Sequence, residues 1–185
     1  RGVTADQALG FLDPTLKALM PDPRSVTDLE AAAQRIAAAV RNREKIAIFG
    51  DYDVDGASSS ALLARYLRFF GIDVQIYIPD RIFEGYGPNP AAMRELASTA
   101  SLIVTVDCGA MAHEALGMAH DAGIDVIVVD HHKCSPDLPQ TVALVNPNRL
   151  DEEDEAAAHG HLAAVGVAFL LAIALVRTLR QRGFF

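Results

Sequence analysis

The sequence predicts an α/β fold: a mostly parallel sheet of about five strands flanked by helices, with an N-terminal helical arm. Two observations carry this expectation. Short apolar runs alternate with longer segments of helical periodicity along most of the chain. Three of those runs, within 46–56, 102–109 and 126–132, end in acid-bearing turns, as strands do at the carboxyl edge of an open parallel sheet.

Residues 1–44 read as the helical arm, packed on a domain that occupies 45–185. In the arm, Phe11, Leu12, Leu16, Leu19 and Met20 recur at helix-like spacing, broken by Pro14 and closed by the Pro-Asp-Pro of 21–23. Thr27–Arg43 follows as a longer helix. Thr27 and Glu30 have the spacing of a capping box, and Leu29, Ala33, Ile36, Ala37 and Val40 form one apolar stripe. The apolar run 46–50 is a strand covered on both faces. Segment 57–70, rich in Ala, Ser and Leu and stopped by Gly71, is a helix whose N-terminus would face the acidic loop before it. A strand over 74–78 leads to a loop over 79–90, long enough to suggest function. The remaining elements are helices over 90–99, 111–122 and 161–181 and strands over 102–106, 126–129 and 142–145.

With 185 residues, 51% of them apolar, and a mean hydropathy of +0.19, the chain can bury a core and is not a disordered one. It has neither an uninterrupted apolar run of membrane-spanning length nor a basic, hydrophobic leader, so no membrane partner is expected. Cys108 and Cys134 lack CxxC spacing and read as packing residues in a reducing cytoplasm. A net charge of −8 argues against gripping nucleic acid by bulk electrostatics. Part of that charge, however, lies in a solvated acidic run at 151–155, and part in turns where a bound cation would offset it.

Those turns carry the chemistry. Asp51, Asp53 and Asp55 alternate directly after the first strand, and like charges this close repel by roughly 1 to 4 kcal/mol per pair. A divalent cation is the expected remedy, and carboxylate oxygens favour Mg2+ or Mn2+. Asp107, Asp130, His131 and His132 end the other two runs and converge on the same edge. Carboxylates bridging two cations form the core of two-metal phosphoesterase sites. An imidazole ligand shifts preference towards Mn2+, and a second imidazole can bond a phosphate oxygen or protonate a leaving oxygen. Around this set, Ser58 and Ser59 at the start of the predicted helix could meet a phosphate or simply cap and pack. Arg81, Lys133 and Arg149 could contact phosphates or be solvated charges, and Tyr86 could stack a base or pack.

In combination, FGDYDVDGASSSALL at 49–63, PDRIFEGYGPN at 79–89, TVDCG at 105–109, VVDHH at 128–132, VNPN at 145–148 and HLAAVGVAF at 161–169 resemble the DHH phosphoesterase superfamily. Within it they are most similar to the RecJ type of single-strand-specific 5′ to 3′ DNA exonuclease. The resemblance implies two metal ions, Mn2+ or Mg2+. Asp53 and Asp55 would ligate separate ions, Asp107 would bridge them, and His131 would ligate one; His132 would contact the scissile phosphate. Asp51 and Asp130 would lie in or just behind the ligand set. Other branches carry histidine where this chain has Phe49. The resemblance further implies single-stranded DNA as substrate, single-strand-binding protein and a helicase as partners, and a cytoplasmic monomer in DNA repair and recombination. Because the family's fourth aspartate motif and second domain are not in this sequence, the chain reads as the N-terminal part of a longer protein, weak or inactive alone. A small DHH phosphoesterase acting on oligonucleotides or nucleotide phosphates, and a non-catalytic DHH-derived scaffold, are the alternatives.

Overall fold

A computed structural model describes residues 2–152 and 157–185; most of the acidic run expected at 151–155 lies outside them. The chain forms α1 (Ala8–Leu12), α2 (Leu16–Leu19), a single 3-10 turn (Pro23–Ser25), α3 (Leu29–Asn42), β1 (Ile46–Gly50), α4 (Val54–Phe69) and β2 (Val74–Tyr77). It continues through α5 (Pro90–Ala97), β3 (Leu102–Val106), α6 (His113–Asp121), β4 (Asp125–Val129), β5 (Ala143–Val145) and an 18-residue helix, α7 (Ala164–Gln181). The five strands pair in the order β2-β1-β3-β4-β5, all parallel, as the alternation of strands and helices predicts.

Two layers of helices cover the sheet because successive strand residues point to opposite faces. Ile46, Ile48, Val104, Ile127 and Val129 pack against α3, α4 and α7. Ala47, Phe49, Ile103, Val126 and Val128 face α5 and α6, where Phe49 also stacks on Tyr77 at 5.4 Å. By length and composition α7 could cross a membrane, with a mean hydropathy of 1.6, but half of it is buried in this core. Its apolarity is that of an interior helix.

The register positions the site. Gly50 pairs with Val106, Val106 with Val129, and Val129 with Val145, so the turns after four neighbouring strands leave the sheet at one level. Between β1 and β3 the connections run to opposite sides, which opens the crevice where ligands bind in such sheets.

Several local expectations give way to long-range contacts. Thr27 and Glu30 form no capping box: the Thr27 N–H and hydroxyl both donate to Glu152, at 3.1 and 2.7 Å. Asp28 takes the cap position with φ of 62°, and its carboxylate accepts from Leu144 N–H and Arg149. α4 begins at Val54, three residues early, because the Asp53 carboxylate accepts from the Asp55 and Gly56 amides and caps it. α7 begins at Ala164 and not at 161. The arm meets two environments: Leu9, Phe11, Leu12, Leu16 and Leu19 are exposed, whereas Val26, Leu29, Ile36 and Val40 are core.

Candidate active site

Four turns at the sheet edge build the site. After β1 the chain tightens so that the Asp51 N–H reaches Val106 O at 3.3 Å. The bend depends on Gly56, where a Cβ would lie 2.4 Å from Asp51 O. Asp51 is buried, and its Oδ1 has no hydrogen-bond partner among the described residues. After β3, Asp107 takes a left-handed backbone with φ of 60°, which Asp tolerates better than most residues, and its N–H donates to Val129 O at 3.0 Å. Gly109 completes that turn at φ 112°; a Cβ there would meet Thr105 Oγ1 at 2.6 Å.

After β4, Asp130 organises the two histidines. Its Oδ1 accepts from the His131 N–H at 2.7 Å and the His132 N–H at 3.2 Å, and its Oδ2 accepts from Ala110 N–H at 3.1 Å. The same Oδ1 lies 2.7 Å from His132 Nδ1. His131 Nδ1 is 3.0 Å from Leu162 O, so a proton there leaves Nε2 free to act as a ligand. That Nε2 sits 3.3 Å from Asp107 Oδ1 and 3.6 Å from Asp55 Oδ2. After β5, Asn146 and Asn148 donate to the His132 and His131 carbonyls and brace this turn from below.

Two overlapping groups result. Asp51, Asp53 and Asp107 bring potential ligand atoms within 4.8 Å of one another, and so do Asp107, His131 and His132. Asp107 belongs to both. Hard oxygens with one or two imidazoles are a donor set suited to Mn2+ or Mg2+.

Comparison with known proteins identifies the family. The family model described as "DHH family, N-terminal domain" matches residues 45–182. The chain belongs to the DHH family. It is 42% identical over 174 residues to the single-stranded-DNA-specific exonuclease RecJ of Bacillus subtilis, covering 94% of this chain and 22% of that protein. The RecJ of Escherichia coli is 37% identical over 187 aligned residues, covering 100% of this chain and 31% of that protein. A crystal structure of exonuclease RecJ bound to manganese superposes with a TM-score of 0.75 at 36% identity, over 83% of this chain and 38% of that one. This DHH domain therefore spans less than a third of the curated relatives it matches.

The electrostatics of the DHH domain follow from this crowding. Burial, then the charges of Asp55 and Asp53, push Asp107 up to about 7. Burial also raises Asp51, with the neighbouring Asp53 charge adding to it. The exposed Asp53 is lowered, first by its bond from Gly56 N–H. Asp130 is pushed up by burial, yet the bonds from His132 and the Ala110 amide outweigh this and hold it below its usual range. His132 is raised, chiefly by its bond to Asp130.

Asp51, Asp53, Asp107, Asp130, His131 and His132 thus come together. Asp55 is close to them but engaged elsewhere: its two carboxylate oxygens accept from the Ala164 and Val165 amides at 2.7 and 2.9 Å. Ser58 and Ser59 do not start the helix, because α4 already runs from Val54. Ser59 is fully buried, so its hydroxyl cannot meet a ligand at this surface, while Ser58 is exposed. Arg81 lies over the Tyr52 ring at 5.2 Å beside the acidic turn. Lys133 borders, with Tyr86, Gly109, Met111, Asp130 and His132, a cleft of about 450 Å³. Arg149 is not a free cation; it pairs with Asp28 and Asp151.

Sequence reasoning underrated Tyr86. Its hydroxyl donates to Asp107 O at 3.1 Å and lies 3.3 Å from His132 Nδ1, which joins the two histidine-bearing and aspartate-bearing turns. The loop carrying it is shaped by Glu84, which accepts from the Tyr77 hydroxyl, the Asp80 amide and Asn89. The Glu84 pairings are local to the loop, whereas those of Tyr86 reach 21 and 46 residues along the chain, and only the GYGPN stretch in the motif set hinted at them.

Proposed function

We propose that this domain hydrolyses phosphodiester bonds of single-stranded DNA in the 5′ to 3′ direction, with Mn2+ or Mg2+ held at the sheet edge. The observation that carries the reading is the pair of ligand groups sharing Asp107. Asp51, Asp53 and Asp107 would hold one ion; Asp107 and His131, with Asp55 within reach, would hold a second. The fit is physical. Asp51 Oδ1 is buried without a partner and Asp107 is crowded by negative charge, and a cation relieves both costs. A divalent ion in this position supplies an acidified water and charge neutralisation at the phosphoryl oxygens.

The side chains divide the remaining work. Asp130 fixes the His132 ring through Nδ1 and raises its affinity for a proton, which suits His132 to presenting an N–H to a phosphate or leaving oxygen. The Tyr86 hydroxyl lies against the same Nδ1, and Tyr86 edges the cleft beside it. Lys133 on the cleft rim and Arg81 near Asp51 are suited to flanking phosphates of the strand. Ser58 takes no part in this reading.

Similarity to proteins named single-stranded-DNA-specific exonuclease supports the substrate; DNA repair and recombination in the cytoplasm are the setting this proposal adds. Action as a monomer with single-strand-binding protein and a helicase belongs to the same proposal, as does weak activity for this chain alone. The test is Mn2+-dependent release of nucleotides from 5′-phosphorylated single-stranded DNA, comparing this chain with one extended to the length of its relatives. Full activity of the short chain would defeat the claim of weakness. Absence of metal-dependent cleavage in both would defeat the proposal, and release from short oligonucleotides only would favour a small phosphoesterase.

A further inference from the structure

The start of α7 is tied to the candidate metal centre twice, from two different strands' turns. Asp55, in the first turn of α4, sends one carboxylate oxygen to each of the Ala164 and Val165 amides. His131, after β4, sets Nδ1 against Leu162 O. α7 has no cap of its own, since Ala163 at its N-cap offers no side-chain acceptor. Its unpaired amides are therefore satisfied by a carboxylate from 109 residues earlier in the chain.

We propose that residues Leu162–Val165 form a positioning element of the metal centre: two amides orient the Asp55 carboxylate and one carbonyl fixes the ring of His131. The inference rests on the metal-dependent reading above. A carboxylate oxygen that accepts one N–H retains a lone pair for a cation, so the amides and an ion can share Asp55. Without the amides, Asp55 would have to be held by its own rotamer against repulsion from Asp53 and Asp107. The Leu162 carbonyl directs the His131 proton to Nδ1 and Nε2 towards Asp107, the arrangement in which outer partners usually hold a ligating histidine. Two helix N-termini thus converge on the acidic cluster: Asp53 caps α4 and Asp55 caps α7. Their partial positive charge lowers the cost of gathering the carboxylates before any ion arrives.

A164P isolates this contact. Ala164 is the first residue of α7, where proline is compatible with a helix, and Ala163 at φ −68° and ψ 159° already has the backbone of a residue preceding proline. The substitution removes the N–H given to Asp55 and no bond within the helix. With circular dichroism and metal-free melting temperature retained, Mn2+ affinity measured by calorimetry is expected to fall about 10-fold or more. Equal or tighter affinity in the folded variant would overturn the inference while leaving the metal reading intact. Failure of the unsubstituted chain to bind Mn2+ would overturn both. If A164P does not fold, amide exchange on the unsubstituted chain decides: protection of Ala164 and Val165 should persist when Mg2+ is bound, and its loss on Mg2+ binding would refute the shared use of Asp55.

Discussion

Replacing Asp107 by Asn should stabilise the metal-free protein while abolishing most of its response to metal. Asp107 is buried between Asp51, Asp53 and His131, and its carboxyl is raised from 3.8 to about 7. At about 1.36 kcal/mol per unit, holding it ionised in the fold costs roughly 4 kcal/mol at pH 8. Asn has nearly the same shape, tolerates the left-handed backbone at this position, and has no charge to repel. The sign follows from linkage. A carboxyl with a raised folded pKa favours the fold at low pH, and that contribution is lost as pH rises from its unfolded value through about 7. The gain from D107N should therefore be about 4 kcal/mol at pH 8 and about 2 kcal/mol at pH 5. At roughly 2 to 4 °C per kcal/mol for a chain of this size, the melting temperature in chelator at pH 8 should rise by about 8 °C or more. Adding Mn2+ should raise the melting temperature of the unsubstituted protein far more than that of D107N. A metal-free D107N protein that melts at or below the unsubstituted one at pH 8, or a gain that does not shrink at pH 5, would refute the crowded-carboxylate account.

Three further outcomes follow from the same geometry. Because Asp107 must lose its proton before it can ligate, Mn2+ affinity should fall about tenfold per pH unit below about 7 and level off above it; a flat calorimetric profile between pH 5.5 and 8 would contradict this. D130N should lower the His132 pKa, since the charged partner at 2.7 Å is removed, and an NMR titration of the ring that is unchanged would show that Asp130 does not hold the proton there. G56A should destabilise by about 2 kcal/mol despite the helix propensity gained, lowering the melting temperature by about 4 to 8 °C, because the new Cβ meets the Asp51 backbone at 2.4 Å; a neutral substitution would mean that the turn relaxes freely.

The edge of the sheet was legible because its signal is local and repeated. A short, continuous apolar run followed at once by acids identifies a buried strand and the end at which its polar residues emerge, and parallel connectivity then aligns those ends. For that reason Asp51, Asp53, Asp107, Asp130, His131 and His132 could be grouped before any coordinates. The helix after β1 is expected three residues late because Gly56 reads as a turn residue, whereas it lies inside α4 and Asp53 is the cap. One carboxylate can both cap a helix and hold a cation, and propensity does not reveal it. Ser59 looked available only under that misplaced start.

From the sequence alone came the fold class, the convergence of three acidic turns on one edge of the sheet, and the chemical type of the candidate site. Tertiary structure decided which acids face one another and which are held elsewhere. It joined Thr27 to Glu152 across 125 residues, and turned Asp55 towards Ala164 and Val165. Hydrogen-bond partners of this kind depend on distances fixed when α3, α4 and α7 pack on the sheet, and no periodicity along the chain records them. The first strand's three aspartates illustrate the division: composition made them a candidate site for a cation, whereas packing gave Asp51 an unpartnered buried oxygen, made Asp53 the cap of α4, and bound Asp55 to the start of α7.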